Sequence, residues 1–339
     1  MATDTLDPRS WLSPTPRGLY CKPGDFYIDP AVAVARAVIT HGHGDHARPG
    51  HRAALATPET LAIMRARFEG MPDTSQQPLK YGESIRIGEV EVQLVPAGHI
   101  LGSAQIVLEY RGQRIVVSGD YKRRPDATCP PFEPVPCDVF VTEATFALPV
   151  FHHPSDMGEI GKLLRSVATF PDHTHLVGVY ALGKCQRVVK LLRAAGWDRR
   201  IWLHGSLLAL CKLYQEQGVD LGDIAHVGDA VLETFKGAIV LCPPSALTDR
   251  WSRRFAEPIP AVCSGWMSVR ARARQSGAEL PLVISDHADW AELVQTLQDV
   301  GAPKVWVTHG REEALVHHAR SMGIDAEALH LSGRDEEDG

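Results

Sequence analysis

The sequence lacks the features that mark secreted and membrane-embedded proteins. None of its apolar runs is long enough to span a bilayer, and residues 1–10 have no apolar core like that of a secretory signal. The seven cysteines are scattered, odd in number and without a C-x-x-C pair, which argues against a disulfide framework. We therefore expect reduced thiols, a cytoplasmic protein and no membrane partner.

An excess of positive charge is also missing. The net charge is -6 at pH 7, so the chain has no overall basic footprint for nucleic acid, and any such contact must be local. Histidine is the residue type in unusual supply, with 16 copies in 339 residues. Because imidazole is the commonest metal ligand in proteins, this surplus indicates metal chemistry.

The densest group of histidines lies between Thr40 and His46. This stretch reads T-H-G-H-G-D-H and places three histidines and an aspartate within six residues. Imidazole and carboxylate are ligands that zinc and similar metals prefer. Glycine lets the backbone turn tightly, so His41 and His43 can reach one point. A merely polar loop would seldom combine these residues, and the stretch therefore predicts a metal site.

Further candidate ligands follow predicted strands. Each stands at or just beyond the carboxyl end of an apolar run, and the set is His41, His99, Asp120, Glu143, His287 and His309. Functional sites of layered α/β structures gather at such strand ends. For a single polar residue at a strand end, a capping role explains its presence as well as a functional site does. Six together favour one shared site.

The predicted elements change character near residue 150. Strand signals dominate before it, with one helix over Pro58–Phe68, whereas helices and strands alternate after it, as in an α/β unit. We predict one domain made of residues 1–150 and 266–332, with residues 151–265 inserted as a small α/β domain. Residues 333–339 are acidic, and we expect a disordered tail there.

The motifs, and the order in which they occur along the chain, resemble those of a known enzyme family. H-x-H-x-D-H from His41, His99 within A-G-H-I-L-G-S and Asp120 within S-G-D-Y resemble the ligand series of the metallo-β-lactamase fold. Glu143, His287 within S-D-H-A-D and His309 within T-H-G-R-E resemble three further motifs of its β-CASP nuclease branch. The opening T-P-R-G-L-Y-C-K-P-G-D-F-Y-I-D is similar to bacterial ligase-associated DNA exonucleases.

The resemblance implies a fold and a metal centre. The fold is a four-layer αββα sandwich of the α/β class, with a small inserted α/β β-CASP domain. The centre holds two divalent metal ions, Zn or Mn. The two ions together activate a hydroxide, which attacks a phosphodiester. The ligand sets it implies are His41, His43, His99 and Asp120 for one ion, and Asp45, His46, Asp120 and His309 for the other. Asp45 could also orient the attacking water.

Glu143 and His287 are then left for another task. Phosphodiester hydrolysis must protonate the departing oxygen, and a histidine oriented by a carboxylate can do so near neutral pH. We expect His287 to be this general acid and Glu143 to orient it. A purely structural ion pair is the alternative for Glu143.

Three cations are candidate contacts for nucleic acid. Lys122 follows Asp120 closely, Lys184 opens a predicted helix within Y-A-L-G-K-C-Q, and Arg270 belongs to an arginine-rich stretch. Such cations can follow a phosphate backbone, and a helix N-terminus can hold a phosphate. An ordinary solvated surface or a plain helix start is the alternative for each.

The function predicted is that of a metal-dependent DNA exonuclease acting 5′ to 3′ in DNA repair. Its partners would be single-stranded or end-exposed DNA, with a functional association with a DNA ligase and helicase. A β-CASP ribonuclease stays open, because no residue clearly reads a 2′-hydroxyl and Artemis-type DNA nucleases usually lack the histidine at His309. A thioester or lactone hydrolase would not need Glu143 or His287, and a non-enzymatic scaffold would be expected to have lost ligands.

Overall fold

The computed structural model describes residues 6–68, 75–255 and 257–331. Contacts divide the chain into two compact units. Among the described residues, the first comprises those from 6 to 152 and from 287 to 331, and the second those from 153 to 286. The predicted tail, residues 333–339, lies outside the described residues.

Before the second unit, the described part of the first unit consists of strands with one α-helix among them. They are β1 (Leu12–Thr15), β2 (Gly18–Cys21), β3 (Phe26–Ile28), β4 (Arg36–Val38), β5 (Ala53–Ala56), α1 (Pro58–Arg67), β6 (Gln76–Pro78), β7 (Ser84–Ile87), β8 (Val90–Pro96), β9 (Ala104–Tyr110), β10 (Gln113–Val117) and β11 (Val139–Ala144).

Helices and strands alternate in the rest of the chain. The second unit contains α2 (Asp156–Thr169), β12 (His175–Gly178), α3 (Lys184–Ala194), β13 (Ile201–Leu203), α4 (Gly205–Glu216), β14 (Ile224–His226), β15 (Ile239–Cys242), β16 (Ile259–Cys263), α5 (Arg270–Gln275) and β17 (Leu280–Leu282). The first unit then resumes with α6 (Trp290–Val300), β18 (Lys304–Gly310), α7 (Glu312–Ser321) and β19 (Asp325–Ala328).

Two sheets form the middle of the first unit. One has the order β1-β2-β3-β4-β5-β6 and the other β19-β18-β11-β10-β9-β8-β7. Apolar side chains alternate with polar ones along several strands, so each sheet presents an apolar face to the other. The core between the sheets includes Leu19, Phe26, Val92, Leu108 and Val141.

Helices cover the outer faces of both sheets. Leu61 and Met64 of α1 pack with Ala37 and Ala56 on the first sheet. The second sheet is covered by α6 and α7, whose Leu293, Leu297 and Leu315 pack with Phe140 and Val305. The layers are therefore helix, sheet, sheet and helix, and the predicted αββα sandwich is confirmed.

The second unit is built on a parallel sheet. Its strand order is β14-β13-β15-β12-β16-β17, and every neighbouring pair is parallel. Because β17 pairs with β16, residues beyond 266 still belong to this unit, and the predicted return at residue 266 comes too early.

Local sequence explains where α1 and α6 of the first unit begin. Thr57 caps α1 by accepting a hydrogen bond from the amide of Thr60, and Pro58 occupies its first turn. Asp289 and Glu292 form a capping box at the start of α6. Among the described residues, the structure contains no helix long and apolar enough to cross a membrane.

Candidate metal centre

The T-H-G-H-G-D-H stretch follows β4 and is held in place by Asp29. One oxygen of Asp29 accepts a hydrogen bond from the amide of Thr40 at 2.8 Å, and the other accepts from its hydroxyl at 2.6 Å. The second oxygen also lies 2.8 Å from Nδ1 of His46. Asp29 is buried, and its contacts hold both ends of the loop, Thr40 and His46.

The remaining ligands of the predicted series come from the ends of other strands. His99 follows β8, and the hydroxyl of Ser103 accepts its amide hydrogen at 3.1 Å. Asp120 follows β10 after Gly119, where a Cβ would lie 2.7 Å from the Cβ of Thr40. The absent side chain lets this strand end approach the histidine loop closely.

His309 stands near the end of β18 in a left-handed backbone conformation. Its φ is 60° and that of Gly310 is 127°, and a Cβ on Gly310 would lie only 2.3 Å from the carbonyl oxygen of Ala144. Non-glycine residues adopt positive φ rarely, and such outliers cluster at functional sites. The irregular strand end allows His309 to reach Asp45 and Asp120.

The structure brings all seven predicted ligands together in two groups that share Asp120. Within each group, one ligand atom per residue lies within 4.8 Å of every other. The groups are His41, His43, His99 and Asp120, and Asp45, His46, Asp120 and His309. They are the same sets that the motif resemblance implies.

Distances within the groups show ligand atoms facing one another. Oδ2 of Asp120 lies 3.5 Å from Nε2 of His41 and 3.4 Å from Nε2 of His46, and Oδ1 lies 3.9 Å from Nε2 of His309. Nδ1 of His43 is 3.0 Å from Nε2 of His99. Asp120 thus faces both groups, as a bridging carboxylate would.

Burial and neighbouring charges set the protonation of these side chains. Burial and the imidazole of His46 lower the pKa of His41 well below its usual value, which favours the neutral, ligand-competent form. Burial alone would raise the pKa of Asp120, but His46 and His309 outweigh it and hold that pKa well below its usual value. Asp120 is therefore a carboxylate throughout the neutral range.

The donor set fits divalent metal ions. Imidazole nitrogens and carboxylate oxygens are ligands for zinc, manganese and iron. Oδ1 of Asp120 is buried and accepts no hydrogen bond from the described residues, which is costly unless another partner, such as a cation, is present. These residues form a divalent metal-binding cluster.

Glu143 and His287 form a pair next to this cluster. Oε2 of Glu143, on β11, lies 2.8 Å from Nδ1 of His287, and its Oε1 accepts the amide hydrogen of Tyr121 at 2.6 Å. The hydroxyl of Thr145 donates to Oε2 at 2.6 Å. The ring of His287 is centred 4.7 Å from that of His99. The carboxylate is thus fixed on both oxygens and can orient the imidazole.

Sequence reasoning missed Asp29. Its carboxylate contacts His46, so it supports a member of the second ligand group from outside that group. Carboxylates often fix the tautomer and orientation of a metal-binding histidine in this way. The signal was available, because Asp29 directly follows the apolar run F-Y-I, as the six candidate residues follow other apolar runs.

Two of the three predicted nucleic-acid contacts are wrong. Lys122 is buried and forms an ion pair with Asp126, so it has no access to a phosphate backbone. Lys184 is also buried, with its ammonium 3.0 Å from Asp286. Each ammonium group pairs with a carboxylate inside the fold, which a sequence pattern does not reveal. Arg270 is exposed, and its role stays a prediction.

Comparison with known proteins gives relatives but no family model that matches. The chain is 26% identical over 321 residues to a protein of Opitutus terrae named a probable DNA ligase, a match covering 92% of this chain and 30% of that protein. It is 31% identical over 150 residues to a ribonuclease of Thermus thermophilus, which covers 36% of this chain and 34% of the relative.

The chain resembles the β-CASP nucleases. The relatives and the His/Asp cluster together confirm the resemblance drawn from the motifs. A crystal structure of a protein of unknown function from Enterococcus faecalis shares the fold, with a TM-score of 0.56 at 12% identity over 80% of this chain and 74% of that one. The chain spans about a third of the length of the two named relatives.

Proposed function

We propose that this chain is a metal-dependent nuclease that degrades DNA from the 5′ end in DNA repair. The observation that carries this proposal is the pair of ligand groups sharing Asp120, with His287 and Glu143 beside them. A pair of divalent ions stabilises both the attacking and the leaving oxygen in phosphodiester hydrolysis, and a nearby acid can protonate the leaving oxygen. Zinc and manganese are the ions we propose.

Each side chain then has a task. His41, His43, His99 and Asp120 would hold one ion, and Asp45, His46, Asp120 and His309 the other. Bound there, the ions would supply an acidified water as nucleophile and neutralise charge on the phosphate. Asp45 orients the nucleophile, and Glu143 holds Nδ1 of His287 so that Nε2 gives its proton to the departing oxygen.

Similarity along almost the whole chain supports DNA as the substrate. The relative matched over 92% of this chain is named a probable DNA ligase. We propose single-stranded or end-exposed DNA as substrate, work alongside a DNA ligase and a helicase, and a cytoplasmic location. Arg270 is a proposed contact to the DNA backbone.

A ribonuclease is the second candidate. The match to the ribonuclease of Thermus thermophilus has the higher identity, 31%, although over 36% of this chain. His309 also lies within the second ligand group, in keeping with the RNA-processing members of the branch. Both candidates share the chemistry and differ in the sugar they accept.

The decisive experiment compares matched single-stranded DNA and RNA labelled at either end, with added Mn²⁺ or Zn²⁺. Asp45→Ala is the control for contaminating nucleases. Stepwise release from the 5′ end of DNA alone supports the proposal, and equal or faster RNA cleavage moves the protein to the ribonucleases. If metal is bound and neither polymer is cleaved, thioesters and lactones are the next substrates to test.

A further inference from the structure

Four consecutive residues of the second unit, 283–286, bond to buried charged side chains on two of its helices. Glu159 of α2 accepts the amide hydrogen of Val283 at 3.0 Å. Lys184 of α3 donates to the carbonyl oxygen of Ile284 at 2.8 Å, and Arg187 donates to that of Ser285. The next residue in the chain is His287.

The same two cations also hold Asp286. Its carboxylate oxygens lie 3.0 Å from Nζ of Lys184 and 3.4 Å from a guanidinium nitrogen of Arg187. Arg187 in turn pairs with Asp156 at 2.6 Å. Two cations thus face two carboxylates, so the charges balance inside the unit. We call Lys184, Arg187 and Asp286 the 286 clamp.

The charged groups of the clamp are deeply buried, and burying charge is unfavourable, so their presence calls for an explanation. The side chains of Lys184 and Arg187 are only 1% and 2% exposed. Burial lowers the pKa of Lys184, although the charge of Asp286 acts to raise it. Desolvation therefore offsets part of the attraction between the Lys184 ammonium and the Asp286 carboxylate. A buried ion pair can often be replaced by apolar residues without loss of stability. Stability alone therefore explains this arrangement poorly.

Backbone bonding gives a better explanation. Lys184 and Arg187 donate to main-chain carbonyl oxygens as well as to Asp286, so they fix the path of the chain rather than one side chain. The fixed path ends one peptide bond before His287. A misplacement of about 1 Å in a catalytic group can cost a hundredfold in rate.

We propose that the 286 clamp positions His287 for proton donation. This inference rests on the proposed function of His287 as the acid. Lys184, Arg187 and Asp286 act through the backbone and are positioning residues. The motif around Lys184 thus serves the reaction from inside the second unit.

The test uses Lys184→Met in the full-length protein. Methionine fills much of the lysine stem without its charge, and Asp286 keeps Arg187 as partner. Lys190→Met is the matched control, because Lys190 lies on the same helix and donates to the carbonyl oxygen of Asp220 instead. Asp286→Asn is the second variant if Lys184→Met does not fold.

Two readouts separate positioning from general support. We expect kcat on single-stranded DNA to fall about tenfold in Lys184→Met, with KM within about twofold. Hydrolysis of bis(p-nitrophenyl) phosphate should change by less than about twofold, because its leaving group departs without a proton donor. Hydrogen exchange should rise at the amides of residues 283–288 and stay unchanged in Lys190→Met.

Each outcome decides the inference. Equal losses on DNA and on bis(p-nitrophenyl) phosphate would show a structural role and overturn it. So would unchanged hydrogen exchange at residues 283–288. If the wild-type protein cleaves neither substrate, the proposed function fails. In that case His287 has no role as an acid, and the proposal that the clamp positions it for proton donation fails too. Hydrogen exchange still reports separately whether the clamp fixes residues 283–286.

Discussion

Nδ1 of His46 lies 2.8 Å from Oδ2 of Asp29, and both side chains are buried. The opposite ring nitrogen of His46 lies 3.4 Å from Asp120. Asp29 therefore sets which ring nitrogen of His46 is directed at the ligand group, namely Nε2. Because the same carboxylate also bonds to Thr40, the loop and the ligand are positioned together.

The first prediction concerns Asp29. Asp29→Asn should weaken divalent metal binding about 10- to 100-fold, because the amide orients the imidazole less well and cannot raise its basicity. Competition against a chromophoric chelator measures the affinity. Asp25→Asn is the matched control, since Asp25 is exposed and bonds to Tyr20. Equal affinities in the two variants would rule out a role for Asp29.

A second prediction separates ligands from the acid. Asp45→Ala should abolish cleavage and reduce bound metal, because Asp45 belongs to the second ligand group. His287→Ala should lower turnover about 100-fold or more while metal content stays near that of the wild type. Elemental analysis alongside kinetics makes the comparison. Loss of a metal ion from His287→Ala would show that His287 is a ligand.

The third prediction concerns the substrate backbone. Arg270→Ala should weaken binding of single-stranded DNA alike for all sequences and reduce the salt slope by about 0.7. Fluorescence anisotropy across a salt series measures both effects. Arg200→Ala is the control, because Arg200 is exposed in the same unit but pairs with Asp223 at 2.9 Å. Identical salt slopes for the wild type and Arg270→Ala would exclude a phosphate contact.

The fourth prediction concerns stability at acid pH. Burial lowers the pKa of His175 on β12, whose Nε2 lies 2.8 Å from the hydroxyl of Ser166. Below an ordinary pKa of about 6.5, the unfolded chain takes up a proton that the folded protein resists. The folded state therefore loses stability as pH falls, by at most about 1.4 kcal/mol per pH unit from this group.

Urea unfolding of the wild type and His175→Gln at pH 7.5 and 5.5 tests this sign. The stability advantage of the wild type over the variant should shrink at pH 5.5, because glutamine takes up no proton in either state. An advantage that stays constant or grows towards acid would contradict the prediction.

The sequence was informative where the chemistry was local. The stretch from His41 to His46 carries both its ligands and its turn residues, so its clustering could be predicted. Lys122 and Lys184 were misread because burial depends on contacts distant in sequence. β6 and β19 are short and partly polar, so pairing at a sheet edge defines them more than any local apolar pattern does.

The discontinuity of the first unit sets an order in time. Strand β11 has β18 as a parallel neighbour, yet β18 is synthesised only after the whole second unit. Until then one edge of β11 lacks that neighbour and is open to wrong pairing. His309 arrives on β18, so the last ligand joins the other six only when the sheet closes. A nascent chain that has not yet made β18 therefore lacks one member of the metal-binding cluster, and under the proposed function cleavage should begin only after β18 has joined the sheet.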